Sequence, residues 1–344
     1  MSASWTFLCY LAHFNNYRRD SLSQMVYYRA DRPFVYRTLL PTTVNLLTRL
    51  VPEKTRQAAV DMVKRNDTLR SFFPVDKDQE PRSGSLKLET NYPVETLIAL
   101  ALMIGCLIGF LRAILLLYDH CYVGPLSFRA AVPVVASAGI VPWLTYTSHP
   151  YDLVSLVLSA WSFLLLAREQ WLKYLLVFLL SCINKETALL NTFVLVTYFA
   201  AQGLLFTRLA AALISAQVVM FAVIKSAITF AFRANPGSLF EFHLFDINIP
   251  ILRSWLQHHY GLEQLVTACI LVAAVFFQWN RKPLVLRSGL ILFFPLAFLG
   301  LFLGVMDEWR AHTDLYTPLL LMILGSSGFL FGVRPRRPQL HSII

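Results

Sequence analysis

Charge is scarce in this chain. Only 15% of its residues are Asp, Glu, Lys or Arg, while 56% are apolar; a soluble globular protein carries about a quarter charged residues. The recognised loops of soluble catalysis are missing as well. There is no Walker-type loop, no GxSxG and no GxGxxG in a strand–turn–helix setting, which excludes the usual soluble nucleotide and serine-hydrolase chemistries. Cysteine is sparse: Cys9, Cys106, Cys121, Cys182 and Cys269 show neither CxxC nor CxH spacing, and four of them sit in apolar runs. They read as small buried hydrophobes, with no disulfide framework and no thiolate metal site. His243, His258 and His259 lack an HExxH pattern and read as loop histidines. No cofactor is indicated, and a divalent metal has no motif of its own. Basic residues with interleaved aromatics form no separate module, so nucleic acid is not an expected partner. The Trp5–Phe14 run has neither a basic leader nor a small-residue cleavage site. Neither an internal repeat nor an inverted pair of broken helices stands out.

What is present is apolar sequence in long runs. The mean hydropathy is +0.55, and several runs approach the roughly 20 residues that cross a hydrocarbon core of about 30 Å. A helix satisfies its backbone internally, which an open strand in lipid cannot do. The expected fold is therefore all-α: a polytopic transmembrane helical bundle of about nine or ten spans, with interfacial helices in the external loops. Membrane lipid is its first partner. Spans are expected near 95–118, 127–147, 151–167, 171–183, 187–203, 208–230, 262–280, 285–305 and 314–333. Pro133 and Pro142 should bend the second of these. Residues 5–16 are a weak further span, shortened and carrying His13.

Three regions follow: 1–94, with the weak span and an external loop; 95–333, the helical domain; and 334–344, a basic tail. Within the first, Val35, Leu39, Leu40, Val44, Leu46, Leu47 and Leu50 make an approximate helical stripe interrupted at Pro41, which suits a helix lying in the interface. Residues 74–93 read as a solvated loop. Residues 231–261 form the other long connection and are partly interfacial in character.

The net charge of +10 fits the excess of Lys and Arg in cytoplasmic loops. Arg168, Lys173, Arg208, Arg281, Lys282, Arg287, Arg334, Arg336 and Arg337 fall on one side of these spans, which should be cytoplasmic and include the C-terminus. The opposite, external side gathers Tyr36-Arg37, His149-Pro150-Tyr151-Asp152, Asn184-Lys185-Glu186-Thr187 and Asp307-Glu308-Trp309-Arg310-Ala311-His312-Thr313-Asp314. The hairpin 148–190 should bring the second and third of these together.

Each cluster has a plain reading beside a functional one. Asp152 opens a helix, where the positive dipole end favours an acid by about 0.3–1 kcal/mol. Asn184 can cap a tight turn. Trp309 can anchor at the interface, and Glu308 with Arg310 can form an exposed ion pair of little value. The functional reading is a shared external site, with carboxylates at Asp152 and Glu186 and phosphate-binding forks at Arg37 and Arg310. Arg112 and Lys225 lie inside apolar runs, where either could snorkel or partner a buried acid.

YR-x-LLP at Tyr36–Pro41, HPYD at His149–Asp152, NKET at Asn184–Thr187 and EWR at Glu308–Arg310, with the external first loop, resemble features of the GT-C class of membrane glycosyltransferases. That resemblance implies a polyprenyl-phosphate-linked sugar donor and an envelope glycan or lipid acceptor, on the extracytoplasmic face of a bacterial inner membrane. It implies Asp31 or Asp152 as catalytic base, with Glu186 and Lys185 positioning, and Tyr36, Arg37, His149, Glu308 and Arg310 on the substrate. The acid that follows the first span would be Asp20 or Asp31. The chain departs from the class in its weak first span and in lacking a soluble C-terminal domain. The other readings are a transporter or lipid flippase, with Arg112 and Lys225 lining a path, and a non-catalytic membrane subunit.

Overall fold

The structure is a computed structural model, and it describes residues 2–12, 21–66, 91–144, 149–257, 262–305 and 309–336. It is overwhelmingly helical. The helices are α1 (Ser2–Ala12), α2 (Leu22–Val26), α3 (Leu39–Arg49), α4 (Glu53–Arg65), α5 (Pro93–Cys121), α6 (Leu126–Leu144), α7 (Asp152–Ala167), α8 (Trp171–Asn184), α9 (Leu190–Ala201), α10 (Arg208–Ala231), α11 (Ile249–Gln257), α12 (Leu262–Phe276), α13 (Leu284–Gly289), α14 (Phe293–Phe302) and α15 (Thr313–Leu330). Among the described residues, five helical stretches are long and apolar enough to cross a membrane: Pro93–Cys121, Leu126–Trp143, Arg208–Ala231, Leu284–Phe302 and Thr313–Leu330. The chain is a helical membrane protein.

The centre of the bundle is α7. Its sequence is apolar on every side, as a helix enclosed by neighbours must be, and residues from Asp152 to Leu166 are buried at almost every position. It packs between α5, α8 and α15. Its serines let it bond across helices at little bulk: Ser159 Oγ donates to the Asp314 carbonyl at the start of α15, 3.0 Å away. By contrast, α10 buries only Ala210, Leu213 and Gln217 and presents Val218, Val219, Val223 and Phe230 outward.

Three elements differ from the sequence expectation. Pro41 does not interrupt its helix. It sits in the first turn of α3, where a missing backbone N–H leaves nothing unsatisfied. The expected span at 285–305 is present as Leu284–Phe302, but its helix tightens to a 3-10 turn at Leu290–Leu292 between α13 and α14. There Gly289 lies so close to Phe163 and Pro318 that a Cβ would come within 2.8 Å of both rings. The expected span at 262–280 stops at Phe276, and Gln278 turns the chain at φ 50°. The carbonyls left over by α12 are taken by Lys282, whose Nζ donates to Ala274 at 2.7 Å, to Val275, and to Met322 of α15 at 3.0 Å. The first residues of the tail are also ordered against the bundle, Arg334–Pro335 pairing antiparallel with Tyr122–Val123.

The first loop lies across one end of the bundle. Asn45 of α3 donates to the Val26 carbonyl at 3.0 Å, fixing α3 on α2. Tyr27 donates to the Glu95 carboxylate in the first turn of α5; burial and this acceptor push its phenol above the ordinary tyrosine range. Asn235, just past α10, bonds the Tyr28 and Ala30 carbonyls, each at 2.9 Å. Arg32 N–H donates to the Pro236 carbonyl at 2.8 Å, and Gly237 passes Arg32 with φ +92°.

Gly237 is the tightest point of that seam, because a Cβ there would lie 2.5 Å from the Arg32 carbonyl oxygen. Gly237→Ala should cost about 1–3 kcal/mol from combined backbone strain and displacement. Gly203→Ala, also at positive φ but in open space, should cost only about 1–2 kcal/mol. Thermal unfolding of the two variants in the same detergent would rank them, and equal midpoints would show that the seam is not tight.

Candidate functional site

The polar turns meet at the end of the bundle covered by the first loop. The α7–α8 hairpin does this by geometry: α7 starts and α8 finishes on the same side. Asn184, the last residue of α8, donates from Nδ2 to the Tyr151 carbonyl at 3.3 Å and to Ser155 Oγ at 2.9 Å. The HPYD and NKET turns are thus bonded to each other. The first loop docks on the same turn, Thr38 N–H donating to the Ile183 carbonyl at 3.2 Å.

Arg37 joins all three. It follows a 3-10 turn at Phe34–Tyr36, which aims its side chain inward. Its guanidinium lies 4.3 Å from the centre of the Tyr151 ring and 5.4 Å from that of Phe34, and it donates to the Tyr151 hydroxyl. Its Nε reaches Glu186 Oε2 at 3.4 Å. From the other side, Lys225 of α10 brings Nζ to 3.6 Å from Glu186 Oε1. The side chains of Arg37 and Lys225 are 16% and 13% exposed, against 39% for Glu186, whose Oε1 is nevertheless buried. Arg37 and Lys225 thus share the carboxylate of Glu186, one on each oxygen. A carboxylate held between two cations acts as a counter-ion and not as a proton acceptor.

Aromatic rings form the wall behind it. His149 stacks between Phe34 and Tyr151, with centroids 5.7 and 5.1 Å away and both interplanar angles at 16°. Tyr36 is buried in the same small cluster with Met25, Ala30, Val35 and Tyr151, and its hydroxyl meets no hydrogen-bond partner among the described residues. Asp152 is buried beneath, its Oδ2 accepting from the His149 backbone N–H at 2.7 Å. That bond closes the turn that starts α7, so the acid has the helix-opening role expected of its position.

The remaining sequence candidates fall as follows. Lys185 is buried at the end of α8, its N–H donating to the Ser181 carbonyl. Asp31 is half-buried on the strand-like run before Pro33, and its carbonyl accepts from Val35 N–H at 3.1 Å. Glu308 and the side chain of Arg310 lie outside the described residues. Among the described residues, no group of three or more His, Cys, Asp or Glu is arranged to hold a metal ion.

Two members were not placed in the site from sequence. Of the readings open for Lys225, snorkelling, lining a path or partnering a buried acid, the structure shows the last, with Glu186 as the acid. Asp314, in the first turn of α15, accepts from Thr187 Oγ1 at 2.8 Å, tying the NKET turn to α15. Its signal in the sequence was an acid opening an apolar run, which a helix N-terminus explains equally well. Comparison with known proteins finds no matching family model, no matching curated protein and no matching solved structure.

Glu186→Gln would leave Arg37 and Lys225 facing each other without a counter-charge. It should destabilise by about 1–3 kcal/mol, less than a fully buried pair because Glu186 is partly exposed. The double variant Glu186→Gln with Lys225→Met should lose less than the sum of the two single losses. A double-mutant cycle by thermal or denaturant unfolding measures this, and strict additivity would remove the ion pair from the account.

Proposed function

We propose that the chain is a glycosyltransferase that takes a sugar from a polyprenyl-phosphate donor and passes it to an envelope glycan or lipid acceptor. The reaction would occur on the extracytoplasmic face of a bacterial plasma membrane, with the C-terminus inside. The observation that carries this reading is the position of Arg37: an external loop is folded back so that its guanidinium joins Lys225 beside two bonded polar turns. A lipid-linked donor fits an apolar bundle that holds two cations at one end.

The chemistry is a displacement at the anomeric carbon. The acceptor hydroxyl oxygen attacks that carbon, and its proton passes to a carboxylate. The bond from the anomeric carbon to the phosphate oxygen breaks, and the lipid phosphate leaves with the electron pair. Arg37 and Lys225 balance the charge that grows on it. Of the two candidate bases, Asp31 and Asp152, Asp152 closes its own helix turn, and Glu186 serves as a counter-ion to Arg37 and Lys225. Asp31, on the loop that leads into Arg37, is the base in this reading, with Asp314 and Thr187 bracing the turn opposite. The pairing of Lys225 with Glu186 speaks against a transport path lined by unpaired intramembrane cations.

In proteoliposomes supplied with a panel of polyprenyl-phosphate sugars and membrane-extracted acceptors, wild type should release polyprenyl phosphate. Asp31→Asn should lower the rate by about 10²–10⁴-fold with the unfolding midpoint unchanged, and Asp152→Asn should lower the midpoint. Movement of the lipid across the bilayer without phosphate release would favour a flippase. No turnover and no movement with any donor would favour a non-catalytic subunit.

A further inference from the structure

A second cationic feature lies at the opposite end of the bundle, where α12 turns into α13. From Phe277 to Gly289 the chain holds Arg281, Lys282 and Arg287 and no acid. The three cations are not equivalent. Lys282 is spent on the carbonyls of Ala274, Val275 and Met322. Arg281 is exposed and bonds Gln278 Oε1 at 3.3 Å. Arg287 is half-buried, its guanidinium 5.7 Å from the centre of the Trp279 ring. Among the described residues it makes no ion pair, and its buried Nε has no hydrogen-bond partner.

A buried guanidinium donor without an acceptor is costly unless a ligand supplies one. The acceptor that fits a planar fork is a phosphate or carboxylate. The surroundings decide between a soluble anion and a lipid. Phe276 and Phe277, directly before the turn, are 56% and 46% exposed, and Trp279 has the amphipathic ring typical of the headgroup level. The turn is also recessed. Lys282 reaches Met322, and α15 continues to Leu330, eight residues further, or about 12 Å along the axis. A ligand there would have its charge on Arg287 and its apolar part along Phe276 and Phe277.

We infer that Arg287, Arg281 and Trp279 form a binding site for the phosphate headgroup of an anionic phospholipid, in the leaflet on the C-terminal side. The site is independent of the one formed by Arg37. Its occupant would fill the Arg287 donor and pack α12, otherwise little covered, against α13.

The test is native mass spectrometry of the full-length detergent-solubilised protein, titrated separately with phosphatidylglycerol and phosphatidylcholine. Wild type should hold the first phosphatidylglycerol more tightly. Arg287→Gln should weaken that binding about fivefold, the effect of one cation near an anionic surface, and Arg281→Gln should weaken it less. Arg168→Gln, at the same end but away from the turn, should leave it unchanged. Equal binding by wild type and Arg287→Gln overturns the site, as does an equal loss in Arg168→Gln. Displacement of the lipid by millimolar inorganic phosphate overturns the lipid assignment. If Arg287→Gln does not fold, Arg281→Gln combined with Trp279→Leu decides: full retention of the phosphatidylglycerol preference rejects the proposal.

Discussion

The Arg37 guanidinium is the tie on which the first-loop end of this protein depends. A charged group at the end of an apolar bundle is expensive to desolvate unless its hydrogen bonds and its charge are met. Arg37 meets both through Tyr151 and Glu186, which belong to different helical turns. It therefore holds those turns and its own loop in one relative position. Lys225 extends the same constraint to α10, which has few other buried contacts. The apolar contacts of α10 are divided between Ala210, Leu213 and Ile214 on the main core and Met220, Phe221 and Ile224 on the small cluster of Phe178, Cys182 and Ala188.

The two ends of the bundle handle buried charge differently. At the first-loop end, cations face a carboxylate and two aromatic rings. At the other end, Lys282 faces only main-chain carbonyls, and it does so because α12 ends early and leaves them unsatisfied. One lysine thus completes one helix and clamps it to another. The 3-10 turn between α13 and α14 belongs to the same solution: the short α13 sits beside Phe163 and Pro318 only because Gly289 has no side chain to keep it away.

Much of this was legible in sequence. The helical class, most helix positions and the bringing together of HPYD and NKET follow from apolar run lengths and from the even alternation that a hairpin imposes. The 3-10 turn inside the 285–305 span was hidden because the run from Leu290 to Phe294 is uniformly apolar, and the flanking Gly289 and Pro295 are both tolerated in membrane helices. The early end of α12 was hidden for the same reason, Phe276 and Phe277 reading straight on into the turn. Within the site, the local motifs could be found, but their partners could not. Arg37 and Glu186 are 149 positions apart, and Thr187 and Asp314 are 127 apart; no local pattern encodes such pairings. For Asp152 the sequence leaves two roles open, because a carboxylate that closes its own helix turn has the same sequence signature as one that faces a cavity.

The charge balance of the Arg37 cluster bears on how such a site could work. A pair of cations with no carboxylate would repel and would keep the loop from docking before any ligand arrived. The Glu186 carboxylate between them avoids this, because it holds the two cations together when the site is empty. Arg37 also keeps Tyr151 as a separate partner, so an arriving phosphate could share the donors on Glu186 without displacing that ring. Under the proposed reaction, this is the useful order of strengths. The ring and the loop stay fixed, and the cations turn from the carboxylate towards the phosphate as the leaving group takes up negative charge.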